Sequence, residues 1–157
     1  RSRGLGDVYK RQHWGYINFT KADITFDGDA ISTGNFIVDM TSISVDDISG
    51  GGKNRLENHL KDDDFFSVDK FNNAELEILE KSEMIDNKYL VEANLTIKGI
   101  TNPITFEMTQ VTDDSYKAKL IFDRSKYDVQ YRSGSFFENL GDRLILDDVE
   151  LEVTLVK

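Results

Sequence analysis

"NKYLVEANLTIKGITNPITFEM", residues 87–108, is built on a period of two, twice over. Tyr89, Val91, Ala93, Leu95 and Ile97 fall on one parity, and Leu90, Glu92, Asn94, Thr96 and Lys98 on the other. After a break at "GITNP", which leads into Pro103, Ile104, Phe106 and Met108 alternate with Thr105 and Glu107. Successive side chains of a strand point to opposite faces, so each run reads as a strand with one apolar face. Two such runs across a short turn-forming segment pair antiparallel, apolar faces together.

The pattern recurs along the chain. Phe36, Val38 and Met40 oppose Ile37 and Asp39; Ala118, Leu120 and Phe122 share a face; Val149, Leu151, Val153 and Leu155 oppose Glu150, Glu152 and Thr154. Strands are expected near 14–27 (bent about Lys21–Ala22), 31–45, 73–84, 88–99, 103–112, 115–124 and 144–156. Turn formers fall between them at Asp27–Gly28, Asp86–Asn87 and Asp113–Asp114. One segment breaks the rule. Over 53–62 Leu56 and Leu60 sit four apart, on one helical face, and Gly50-Gly51-Gly52 sets this helix off from the strand before it. With seven one-sided strands and so little helix to cover them, the expected fold is all-β, an antiparallel sheet closing into a barrel.

Bulk properties exclude several classes. A net charge of −10 with no cluster of Lys and Arg argues against nucleic acid, whose phosphates need such a cluster. The absence of cysteine excludes disulfides, thiol catalysis and Cys-ligated zinc. No apolar run is long enough for a transmembrane helix. The first twelve residues, "RSRGLGDVYKRQ", stand apart: Arg1, Arg3, Lys10 and Arg11 against Asp7 give +3, leaving −13 on the rest. They contain no apolar core of a secretory signal and read as a non-native leader, residues 1–12, ahead of one domain over 13–157.

Candidate chemistry is sparse. The histidines are His13 and His59, and the latter stands just before Asp62, Asp63 and Asp64. That pairing leaves open a metal-dependent or hydrolytic site, although no Ser lies in a G-x-S-x-G elbow. The segment from Asp23 to Gly28 fails as a calcium loop, having Thr25 at the third position, and Lys53-Asn54 fails as a phosphate loop. A solvated acidic loop is the competing reading, since acidic pairs recur at Asp46–Asp47, Asp113–Asp114 and Asp147–Asp148. The interior is the other candidate. Phe19, Phe26, Phe36, Tyr89, Phe106 and Phe122 make it aromatic and nearly devoid of polar groups, so it is either filled by its own side chains or takes a lipid-like ligand.

At His59, Leu60, Asp64, Phe65 and Phe66, and again at Leu95, Thr96, Ile97, Lys98, Gly99, Thr101 and Pro103, the chain resembles the YceI-like family. "DRSKYDV" at 123–129 and "GDRLILDDVELEVTL" at 141–155 are similar to two further family segments. The resemblance implies a lipocalin-like barrel of eight strands around an elongated apolar pore that binds polyisoprenoid or isoprenoid-quinone lipids without catalysis, for carriage or storage. Residues expected to touch such a lipid are Phe36, Val38, Met40, Val91, Leu95, Phe106, Leu120 and Phe122 along the pore. Leu56, Leu60, Phe65 and Phe66 are expected to close one end, with the aspartates facing water. No metal and no cofactor other than the lipid is implied, a periplasmic or secreted location is, and a homodimer stays open. Two departures stand out. Phe71-Asn72-Asn73-Ala74 lacks a proline that family members carry, and the leader occupies the place of the first strand. Seven strands are visible where eight are implied, so an unpaired gap is expected beside the strand that starts near Trp14.

Overall fold

The computed structural model describes residues 15–46, 50–130 and 148–156. Seven strands follow one another: β1 (Gly15–Asp27), β2 (Ala30–Val45), β3 (Asn73–Ile78), β4 (Lys88–Ile97), β5 (Ile100–Thr112), β6 (Ser115–Asp123) and β7 (Asp148–Val156). The helix α1 (Gly50–Lys61) lies between β2 and β3, and a 3₁₀ turn covers Arg124–Tyr127. Each strand pairs antiparallel with the next, in the order β1 to β7. Among the described residues β1 and β7 do not pair, and the sheet curls into a half-barrel. The leader at 1–12, the expected strand start at 14 and the stretch 144–147 lie outside the described residues.

Alternation places the core. On β4 every inward residue from Tyr89 to Ile97 is at most 6% exposed, while Leu90 between them is 68% exposed. Register carries this face to the neighbouring strands: Val91 faces Phe106, Leu76 faces both Phe36 and Leu95, and Leu120 faces Leu151. Two buried clusters result. One surrounds Val45, Phe66, Phe122 and Val129, the other Ile31, Tyr89, Val91 and Tyr116, and Leu76, Ile104 and Leu151 pack against both. The bend expected in β1 is a register shift between Phe19 and Lys21. One extra residue there moves the inward parity from Ile17 and Phe19 to Ile24 and Phe26.

Three boundaries differ from the expected ones. β5 begins at Ile100, because the turn is made by Lys98 and Gly99, with φ of 53° and 74°. This is the left-handed pair that a two-residue hairpin requires. Pro103 therefore sits inside β5, opposite Asn94. Counting from the closing pair Ile97–Ile100, the nitrogen of Pro103 points away from β4, and β6 is paired with β5 only from Glu107 onward. Next, β3 stops at Ile78 instead of running to 84. Ser82 exchanges two backbone hydrogen bonds of 2.9 Å with Ile31, which draws the chain across the end of β2. Finally, α1 opens at Gly50, whose φ is +67°, so the glycines form its first turn. The helix is tied to the sheet by Glu57, whose carboxylate accepts the Val45 N–H at 2.7 Å.

The one-sidedness of β4 is directly measurable. Val91→Ala, at 0% exposure, should lower stability by about 2 kcal/mol, from lost transfer energy and an unfilled space. Leu90→Ala, one residue away on the outer face, should stay within about 0.5 kcal/mol. Urea unfolding of the two variants reads the difference.

Candidate functional site

The concave face is packed at both ends and unfilled between them. Two cavities, of about 70 and 90 Å³, lie in line along the sheet. The first is walled by Phe36, Leu76, Phe106, Leu120 and Val153, the second by Ile17, Met40, Ile43, Phe66, Phe122 and Val149. Val38, Ala74, Leu95 and Leu151 belong to both, so the pair forms one slot with a waist. Small residues on the inward parity keep it open: Ala74 is paired with Val38, and Ala118 with Met108 and Val153. Among the described residues Glu75 is the one charged residue in the lining; Tyr16 and Ser44 add hydroxyls to the second cavity.

Of the residues expected along the pore, Phe36, Phe106 and Leu120 line the first cavity, Met40 and Phe122 the second, and Val38 and Leu95 both. Phe66 lines the second from below. Val91 is fully buried in the other cluster and lines neither cavity. Leu60 and Phe65 are buried in the same cluster as Phe66, with Leu56 half-buried against them. Sequence reasoning passed over Ala74, Leu76, Ile17 and Leu151 as site residues. The available signal was the inward parity of Ala74, Leu76 and Ile78 in "NAELEI".

Asp62 and Asp63 shape the turn that sends the two phenylalanines inward. The Asp62 carbonyl accepts from the N–H groups of Phe65 (3.1 Å) and Ser67 (2.9 Å), and its carboxylate accepts the Asp64 N–H at 2.9 Å. Asp63 accepts the Ser67 hydroxyl at 2.6 Å, holding a residue whose φ is +49°. The Ser67 hydroxyl, with Lys70 next, keeps the Asp63 carboxyl below its ordinary value. His59 sets its ring edge-on against Phe65, 4.9 Å between centroids, with Nε2 3.6 Å from the Asp64 carboxylate. Side-chain atoms of His59, Asp62 and Asp64 come within 4.8 Å of one another, a grouping that could hold a cation. Below them, Arg124 is buried over the Phe65 ring at 5.5 Å and donates to the Val129 carbonyl at 2.7 Å. Tyr127 stands edge-on to Phe122 at 5.8 Å, and burial pushes its phenol up.

The model of the YceI-like domain matches residues 7–157. The chain belongs to the YceI-like family. Its fold is similar to that of BcnA from Burkholderia cenocepacia, with a TM-score of 0.79 at 19% identity over 99% of this chain and 94% of that one. A polyisoprenoid binding domain from Saccharophagus degradans, implicated in plant cell wall breakdown, matches with a TM-score of 0.62 at 12% identity over 98% and 90% of the two chains. At these identities the likeness is one of fold. In sequence, UPF0312 proteins of two Staphylococcus aureus strains are 35% identical over 92 residues, 58% of this chain and 49% of theirs. The match thus spans about half the length of those curated relatives. Within this YceI-like domain, the segments around His59–Phe66 and Asp123–Val129 meet at one end of the slot.

The Asp63–Ser67 contact yields a prediction with a definite sign. A carboxyl whose folded pKa lies below its ordinary 3.8 stabilises the fold fully above that value and loses the contribution as pH falls through the lower, folded one. Asp63→Asn should therefore be slightly less stable than the parent at neutral pH, with the gap closing in acid. Urea midpoints across an acid titration read it; a gap that widens in acid would contradict the assignment.

Proposed function

We propose that this protein binds a long isoprenoid lipid, a polyisoprenoid or an isoprenoid quinone, along the concave face and carries or stores it without chemical change. The observation that supports this most is the waisted slot shared by Val38, Ala74, Leu95 and Leu151, apolar over almost its whole lining. A methyl-branched hydrocarbon tail asks for such a wall and for no hydrogen bonds. Each ~100 Å² of hydrocarbon withdrawn from water contributes roughly 2.5 kcal/mol. Association and ordering of the chain oppose this by about 4–15 kcal/mol. A single isoprene unit cannot overcome that, and a tail of several units can. Each cavity is smaller than the roughly 150 Å³ that admits a benzene, so a long tail must also widen the slot. The walls best able to give way are the half-buried inward faces of β1 and β7, with Ile17, Phe19, Leu151, Val153 and Leu155. A periplasmic or secreted setting is the one the family resemblance supports.

The waist offers the sharpest test. Ala74→Leu fills the space common to both cavities, at an overpacking cost of about 1–3 kcal/mol. The parent protein should yield an isoprenoid on solvent extraction and mass spectrometry, and a folded Ala74→Leu variant should yield little or none. Equal lipid in both would remove the slot from consideration.

A second reading draws on the grouping of His59, Asp62 and Asp64 within 4.8 Å: a metal-dependent or hydrolytic site. On the lipid reading, a chelator and the His59→Ala change both leave lipid content unaltered. Loss of lipid on chelation, or a hydrolytic activity that disappears with His59→Ala, would favour the metal or enzyme reading instead.

A further inference from the structure

Three rings close the slot at the end that carries the β1–β2 and β5–β6 turns. Phe26 of β1 and Tyr116 of β6 are stacked, centroids 5.4 Å apart and planes 24° apart, and Tyr89 of β4 stands 6.4 Å from Tyr116. Because β1 and β6 are not neighbours in the sheet, the Phe26–Tyr116 contact spans the concavity instead of running along its wall. Tyr116 is 3% exposed and Tyr89 1%. The Tyr89 hydroxyl donates to the Asp29 carbonyl at 2.6 Å, which fixes that ring to the β1–β2 turn.

The cavity stops at these rings. One pleat along β6 from Tyr116 the inward residue is Ala118, and there the lining of the first cavity begins. Met108 and Val153, both paired with Ala118, mark the same level on β5 and β7, and Leu155, paired with Tyr116, carries the β7 side of the lining up to the ring itself. Phe26, Tyr89 and Tyr116 themselves do not line it. Tyr116 stands one pleat beyond Ala118, and Tyr89, paired with Met108, stands level with Ala118 on β4, so large rings meet the small residue where the open space ends.

We propose that Phe26, Tyr89 and Tyr116 form the chain-length stop of the slot. This rests on the lipid reading above and adds to it a selection by tail length. The tip of the tail comes to rest at the level of Ala118, against the face of the ring cluster. A longer chain advances only by parting Phe26 from Tyr116 and displacing Tyr89 from Asp29 together. Affinity therefore rises with each isoprene unit until the tip meets the rings, and then levels off.

The test is a titration of the full chain, freed of lipid, with a ladder of isoprenoid alcohols beginning with geraniol, farnesol and geranylgeraniol, each one unit longer than the last. The parent should show a rise in affinity that levels off at one rung. Tyr116→Ala should move that point to a longer alcohol and raise affinity for the first alcohol beyond the parent's limit by about tenfold. Tyr116→Leu should move it in the same direction by less and serves if the alanine variant fails to fold. Ala118→Leu, which builds the stop one pleat inward, should move it to a shorter alcohol. If the levelling-off point is the same in the parent, in a folded Tyr116 variant and in Ala118→Leu, the stop is overturned while the lipid reading stands. If the parent binds no alcohol of the ladder, the lipid reading falls and the stop falls with it.

Discussion

The inward face of β4 has to be covered, and among the described residues the sheet itself does most of the covering. Tyr89, Val91, Ala93, Leu95 and Ile97 make an unbroken apolar stripe. The chain's one α-helix among the described residues is twelve residues long and packs against β2. Burying a stripe of that length by roughly 25 cal/mol per Å² leaves one solution, in which the sheet curls until its other strands face it. Hence the meander order, the register shift in β1 that turns Ile24 and Phe26 inward, and the half-barrel. The slot follows from the same constraint: a curled sheet leaves a lumen, and whether it is filled depends on the sizes of the inward residues.

The aspartate run next to two phenylalanines belongs to this covering as well. Asp62 and Asp63 accept hydrogen bonds within the turn after α1, and that turn buries Phe65 in the core and brings Phe66 to the wall of the second cavity. Arg124 lies buried over Phe65, so the closed end is built from two segments distant in sequence. Ordinary helix-end chemistry accounts for two of the three acids. Asp64, with His59, is left on the outside of the same turn.

Much of the wall was legible in the sequence, because period-two patterning reports directly which side of a strand faces the core. Tyr89 to Ile97 and Val149 to Leu155 needed nothing further. Boundaries were less legible. Pro103 suggested a turn, yet the left-handed pair Lys98–Gly99 makes it before Ile100, so β5 starts three residues earlier, since a proline whose nitrogen faces no strand costs the ladder nothing. The end of β3 depends on the Ser82–Ile31 exchange, a contact over fifty residues that local pattern does not encode. Nor did parity separate the inward residues that border open space from those that fill it. Val91 and Leu95 look alike in sequence. One is packed in the ring-bearing cluster and the other borders both cavities, because Ala74 and Ala118, small residues on other strands, determine where space remains.

The central claim is that a hydrocarbon tail lies along the inside of this sheet. A crystal structure of the protein loaded with an isoprenoid quinone carrying a bromine on its tail tests it most directly, since the anomalous signal fixes the tail independently of the protein density. The expected result is tubular density running through the waist between Ala74 and Leu151, with the bromine inside the slot. Bromine found only on the outer surface, with Val38, Leu95 and Leu151 closed against Ala74, would contradict it.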